Sequence, residues 1–340
     1  MAPTPAKIIE MASAFYESCV LFAASDLGVF GKLAGMKQAD AGALARALGL
    51  SERGLRLLLD AGVAVGLLEK DGDLYRNTPE GAAFLVPGAP GDLSGAIRYN
   101  RDVYSAWGRL ETLVRSGAPV EKPEIHLGKD PDRTRTFVLA MHHRALGIGR
   151  AVIPHLDLGG WKTLLDVGGG PGTYSVLMAA ANPGIRCTVL DLPEVVKIAA
   201  DLVRQQGMAE RVRMLAGDYR TTPFPGGNDG VHFFGVLHQE SPDSIRALLR
   251  KAYAALRPGG VVNVMDMMTD ATHTRPRFSA LFAVNMALTA EHGWVFSDAE
   301  LRGWMEEAGF ADFSVKTLGP VMPHWLATAK RPAGGHKPRE

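Results

Sequence analysis

The stretch LLDVGGGPGTYSVLMAAANP, residues 164–183, restricts what this chain can fold into more than any other segment. An apolar run ends on an acid, Asp166, passes through Gly168, Gly169, Gly170 and Gly172, and continues as a helical pattern. Glycine is required where the backbone turns through positive φ and must lie close to a ligand across a strand end, so a strand-turn-helix unit with a ligand across the strand end is expected. The spacing is GxGxG. Thr173 stands where a dinucleotide fingerprint has its third glycine, which argues against a nicotinamide cofactor.

From Trp161 onward, short β-branched runs alternate with helical segments: TLLDV, CTVLDL, VRMLAGD, GVHFFGVL, GGVVNVMDMM and FSVKTL are the expected strands. The fold class is therefore α/β, a Rossmann-like doubly wound sheet. The second strand ends at Asp191, where a carboxylate accepts ribose hydroxyls, and the third ends in AGDY, which puts Asp218 near an adenine amino group and Tyr219 against the base.

The first half reads differently. Apolar residues recur at helical spacing from Ile8 to about Leu33 and cover more than one face, so this helix needs several partners. Residues 43–81 then read as helix, turn, a second helix capped by Ser51, and a hairpin centred on Asp71 and Gly72. This all-α winged-helix pattern is expected to be a dimerisation domain. A winged helix also suits an adenosyl-binding regulator on DNA, but Arg53 and Arg56 are the only cations on its second helix, and the chain has 37 Lys and Arg against 36 Asp and Glu, so no nucleic-acid partner is expected. The expected domains are residues 1–110 for the helical part, 111–158 for a Pro-rich connector and bridging helix, 159–330 for the sheet domain, and 331–340 as a disordered tail. With 340 residues and 46% hydrophobic composition, each half can bury its own core.

Two cysteines, Cys19 and Cys187, both expected to be packing residues, fit a reducing compartment, and no apolar run approaches the ~18 residues needed to span a bilayer. A cytoplasmic location without membrane association is the expectation, with a small molecule as substrate.

Taken with these motifs, LDVGGGPG, VLDLPEVV, AGDY, VLHQESPDSIRALLRKAYAALRPGGVV and EEAGF, the chain resembles the two-domain small-molecule O-methyltransferases, which include plant caffeate-type, acetylserotonin and bacterial polyketide or carotenoid enzymes. The resemblance spans nearly the whole chain. It implies a class I methyltransferase that is a homodimer through its N-terminal domain, uses S-adenosyl-L-methionine and releases S-adenosyl-L-homocysteine. Asp166, Gly168, Gly170, Asp191, Asp218 and Tyr219 are then the cofactor residues. His238, at the C-terminal edge of the sheet, becomes the general base for a hydroxyl acceptor held between the two halves. Asp266, at the end of the fifth strand, becomes the acid that orients it.

Two departures open an alternative. Gln239 follows the histidine where these enzymes commonly have Asp, and His292 falls in the segment LTAEHGWVFSDAEL expected to line the substrate. His238, Gln239 and His292 together would suit a divalent iron or zinc ion, which resembles the branch of this fold that C-methylates α-keto acids, with Arg144 as a carboxylate clamp. His142 and His143 are adjacent and point to different helix faces, which argues against joint metal binding. Phe137, Met141, Phe282, Met286 and Trp294 either wall an aromatic acceptor pocket or belong to the core.

Overall fold

Polar caps and left-handed glycines set the element boundaries near the N-terminus. The computed structural model describes residues 3–121, 130–319 and 322–334. The chain divides into two units after Asp102. In the first, α1 (Ala6–Ser13), α2 (Phe15–Asp26) and α3 (Val29–Met36) replace the single expected helix; a turn at Ala14 separates the first two, and Gly28 at φ 72° ends α2 after Leu27. The stretch Ala6–Asp26 is long and apolar enough by composition to cross a membrane and is only 6% buried, a correction to the expectation that no such segment exists. Its scattered charges, Lys7, Glu10, Glu17 and Asp26, hide that length when unbroken apolar runs are sought.

Asp40 caps α4 (Ala41–Leu48) by accepting from Ala43 N at 2.7 Å, and Ser51 caps α5 (Glu52–Ala64) by accepting from Gly54 N at 3.3 Å. The strands β1 (Leu68–Asp71) and β2 (Leu74–Asn77) pair antiparallel around Gly72 and Asp73, one residue later than expected. They are followed by α6 (Pro79–Phe84). Phe30, Leu33, Leu44, Leu59, Leu68 and Tyr75 form the core of this unit.

The division falls within α7 (Ser94–Trp107). The second unit continues with α8 (Leu110–Ser116), α9 (Pro131–Val152), β3 (Thr163–Val167), α10 (Thr173–Ala181), β4 (Arg186–Asp191), α11 (Pro193–Gln205) and β5 (Val212–Ala216). Then follow β6 (Asn228–Phe234), α12 (Pro242–Ala255), β7 (Leu256–Asp266), α13 (Arg277–Thr289), α14 (Asp298–Glu307), β8 (Ala311–Thr317) and β9 (Trp325–Lys330). Much of the expected Pro-rich connector and the end of the expected disordered tail lie outside the described residues.

The sheet runs β5-β4-β3-β6-β7-β9-β8, parallel through β7, with β9 antiparallel to both β7 and β8. The six expected strands are present, and β9 is a seventh that the sequence reading missed. Successive residues of each strand face opposite sides, so Leu165, Val167, Val231 and Phe233 pack with α12 and α14, while Leu164, Cys187 and Phe234 pack with α9, α10 and α11. Chain order reverses between β3 and β6. Ligands of such sheets bind outside the carboxyl ends of the strands at that reversal.

Candidate active site

The glycine turn follows β3 directly. Gly168, Gly170 and Gly172 have φ of 64°, 53° and 71°, the left-handed region where a side chain is strained. A Cβ on Gly168 would lie 2.7 Å from Val236 Cγ2, and one on Gly169 would lie 2.7 Å from the Asp166 carboxyl, whereas one on Gly170 would meet nothing within 4 Å. Asp166 is fully buried; its Oδ2 accepts from Ser175 Oγ at 2.7 Å and its Oδ1 has no partner. Burial pushes this carboxyl up to about 6, against the Ser175 bond that lowers it.

Asp191 ends β4 beside that turn. Its Oδ2 accepts from Gly170 N and its Oδ1 from Leu192 N, both at 2.7 Å. Burial raises its pKa in spite of these two donors. Each oxygen keeps a second lone pair, which is what a ribose diol requires. Beyond β5, Asp218 Oδ1 accepts from Arg220 N at 2.8 Å, and Tyr219 Cε1 lies 3.5 Å from the position of a Gly168 Cβ. The Gly168–Gly172 turn, Asp191 and Tyr219 thus converge on one strand edge, and their open glycine, spare acceptors and aromatic wall fit an adenosyl ligand.

His238 lies in a 3-10 turn, Leu237–Gln239, just past β6. Parallel pairing of β6 with β7 brings the ends of the two strands together, Phe234 opposite Met265. His238 Nδ1 is 2.6 Å from Asp266 Oδ1, and the His238 amide donates to Asp266 Oδ2 at 3.3 Å. Asp266 Oδ1 also accepts from Met267 N at 2.8 Å, and Asp266 is 1% exposed. A carboxylate accepts only, so Nδ1 carries the proton and Nε2 keeps a basic lone pair. The Phe282 ring stands edge-on to the imidazole at 5.3 Å, and Met286, Met267 and Val295 pack with Phe282. Trp294 serves the same turn: its N donates to His238 O at 3.0 Å and its Nε1 to Glu240 O at 2.8 Å.

Met141, His142 and Arg144 are half-buried on α9, and His142 Nδ1 meets Thr173 Oγ1 at 2.7 Å at the start of α10. Burial lowers the His142 pKa. His292, by contrast, is exposed and lines a depression of about 260 Å³ with Ser241, Pro242 and Trp294 that includes neither His238 nor Gln239. No group of three His, Cys, Asp or Glu side chains arranged for a metal ion occurs among the described residues. The alternative of His238, Gln239 and His292 as a metal centre therefore gains no support.

Three residues of this region escaped the sequence reading. Ser175 holds Asp166. Glu240, 1% exposed, gathers Tyr219, Arg220 and Ser244; it stands in the polar run HQESPDS beside the helix cap Ser241, where nothing local marks it out. His324, 6% exposed with Nδ1 unpartnered, directly precedes Trp325, which pairs with Asp266 across β7 and β9. Burial, helped by the Arg144 charge, pushes its pKa down to about 4.

Comparison with known proteins agrees with this arrangement. Residues 123–311 match the O-methyltransferase domain model and residues 9–87 match the O-methyltransferase dimerisation domain model. The chain is 33% identical to the tetracenomycin polyketide synthesis 8-O-methyl transferase of Streptomyces glaucescens, covering 96% of this chain and 97% of that one. It is 31% identical to the 3-hydroxy-5-methyl-1-naphthoate 3-O-methyltransferase of Streptomyces sahachiroi, covering 94% and 92%. Its structure is similar to that of human N-acetylserotonin methyltransferase in complex with S-adenosylmethionine, with a TM-score of 0.87, 28% identity, and 97% and 99% of the two chains covered.

Proposed function

Starting from the fact that this chain belongs to the O-methyltransferase family, we propose that it is an S-adenosylmethionine-dependent methyltransferase acting on an aromatic hydroxyl of a small molecule, with His238 as general base. The observation that carries the reading is the 2.6 Å contact of His238 Nδ1 with Asp266 at the carboxyl edge of the sheet. The acceptors named for its relatives, a polyketide, a hydroxynaphthoate and N-acetylserotonin, support an acceptor of this class.

S-adenosylmethionine supplies an electrophilic methyl group on a sulfonium. Gly170 would leave room for it beside the turn that Gly168 packs against Val236, Asp191 would take its ribose hydroxyls, and Asp218 and Tyr219 would border its adenine. His238 Nε2 removes the acceptor's hydroxyl proton, and Asp266 keeps the Nδ1 proton in place and balances the resulting imidazolium charge. Phe282, backed by Met286, flanks the imidazole and keeps water from it, while Met141 and Arg144 border the acceptor. The protein contributes mainly orientation, which is worth several orders of magnitude when two reactants are held in line.

The dimerisation-domain match and the exposed Ile8, Ile9, Met11, Phe15 and Tyr16 support a homodimer closed over these helices. Neither cysteine is in a disulfide, which is consistent with a cytoplasmic enzyme. The test is methyl transfer from labelled S-adenosylmethionine to a panel of hydroxyarenes, with aminoarenes as controls. Transfer to oxygen is expected; transfer to the amines alone refutes the acceptor assignment.

A further inference from the structure

The segment after β5 and the turn after β6 are joined by a single buried carboxylate. Tyr219 Oη donates to Glu240 Oε1 at 2.7 Å, Arg220 Nη2 donates to Oε1 at 2.7 Å and its Nε to Oε2 at 3.1 Å, and Ser244 Oγ donates to Oε2. Burial acts to raise the Glu240 pKa, but Arg220, Ser244 and Tyr219 outweigh it, so the carboxyl is held below its ordinary range. Burial and the Glu240 charge push Tyr219 well above its ordinary range, so the phenol stays a donor. Lys251 Nζ fastens the same segment by donating to the Tyr219 and Thr222 carbonyls.

Glu240 is equally tied to the catalytic turn. Its amide donates to Leu237 O at 3.0 Å, and its carbonyl receives the Trp294 indole, whose own backbone amide holds His238 O. Tyr219 in turn lies against the glycine turn at Gly168. A residue needed only for stability is poorly served by this arrangement, because burying the Glu240 carboxylate, with its Arg220 partner half exposed, costs desolvation that an apolar side chain avoids. What the carboxylate provides that an apolar side chain does not is orientation of the Tyr219 phenol.

We propose that Glu240 is a positioning residue for the cofactor site: it fixes Tyr219 as the wall beside the glycine turn and locks that wall to the turn carrying His238. This rests on the placement of the adenosyl group described above. Glu240 itself touches no substrate, and its effect passes through the 2.7 Å bond to Tyr219.

The test is calorimetry of S-adenosylhomocysteine with the full chain and with Tyr219→Phe, Glu240→Leu, which removes the acceptor, and the double variant, at a temperature well below each melting point. Tyr219→Phe keeps the Arg220–Glu240 ion pair, so it reports on orientation without disturbing the fold. Each single variant is expected to weaken binding about tenfold, with the double variant no weaker than the worse single one, as for two ends of one bond. Affinity within twofold of the unmodified protein in either single variant, or effects that multiply in the double variant, overturns the proposal. Absence of S-adenosylhomocysteine binding to the unmodified protein overturns the placement of the cofactor as well, which separates the two failures.

Discussion

Replacing Asp266 by Asn removes one charge and exchanges one acceptor for a donor, and the neighbouring groups decide how the amide sits. Oδ1 faces His238 Nδ1 at 2.6 Å and Met267 N at 2.8 Å; Oδ2 faces only the His238 amide, at 3.3 Å. With the amide oxygen in the Oδ1 position, both short bonds survive and only the long one is lost. The opposite orientation sacrifices both short bonds. At about 1 kcal/mol for each neutral bond, and more for a buried donor left unmet, the first orientation wins. His238 then keeps its Nδ1 proton and its basic Nε2. What disappears is the negative charge facing the imidazolium formed during turnover. The difference between a charge-assisted and a neutral hydrogen bond, about 1 kcal/mol, sets the lower bound of the loss. The Coulomb attraction of a pair about 4 Å apart at an effective dielectric near 20, about 4 kcal/mol, sets the upper bound. In Asp266→Asn, kcat should fall by roughly 5- to 10³-fold, with S-adenosylhomocysteine affinity within about twofold of the original. Methyl-transfer kinetics at saturating substrates, with calorimetry on the same sample, measure both. Turnover within threefold of the original refutes the role of the carboxylate; a loss near the ~10⁴-fold that a wrong imidazole tautomer produces refutes the orientation argument.

Other consequences follow from the same geometry. Gly168→Ala combines left-handed φ with a Cβ 2.7 Å from buried Val236, and Gly170→Ala has the φ alone; denaturant melts should show losses of about 2–5 and about 1 kcal/mol respectively. Acid should destabilise the fold. Burial pushes His232 down to about 3 and His324 down to about 4, so below an unfolded value of ~6.5 the unfolded chain takes up protons the folded one refuses, and stability falls with pH at about 1.4 kcal/mol per unit for each. Asp166, raised to about 6, acts in the opposite sense below that pH by binding its proton first in the folded state. The net loss between pH 7 and pH 5 is about 2–3 kcal/mol, and His232→Gln should remove roughly half of the histidine contribution; equal pH slopes in the two proteins contradict this. Ile9→Lys combined with Phe15→Lys should shift sedimentation from dimer to monomer, and an unchanged dimer places the interface elsewhere.

The glycine turn and Asp191 were legible because strand ends, acids and glycines fall in register along a parallel sheet, where sequence spacing converts directly into position; the pairing of Asp266 with His238 came from the family resemblance. Strand β9 was not. Its core, Leu-Ala-Thr-Ala, carries two alanines of low strand propensity, and it is a strand because Leu326, Ala327 and Ala329 are buried between β7 and β8. Glu240 and His324 reach the site through tertiary packing, Glu240 onto Arg220 and His324 beside the Trp325–Asp266 pair, and no local pattern announces either. The expectation that His292 joins His238 rested on its place in LTAEHGWVFSDAEL, a segment expected to line the substrate. The backbone bond from Trp294 to His238 brings that segment close, yet leaves the His292 side chain at the surface. A single helix over residues 8–33 was expected because its apolar spacing continues across Gly28, whose left-handed backbone ends α2 regardless of side-chain pattern.

The central claim is tested most directly by His238→Gln, measured for S-adenosylhomocysteine affinity and for methyl transfer to the preferred hydroxyarene. A glutamine fills much of the imidazole's space but accepts no proton at neutral pH. Unchanged cofactor affinity with turnover reduced by at least ~10²-fold is the predicted result, the contribution expected of a positioned general base. Turnover within about tenfold of the original, with cofactor bound normally, contradicts the assignment of His238 as the base.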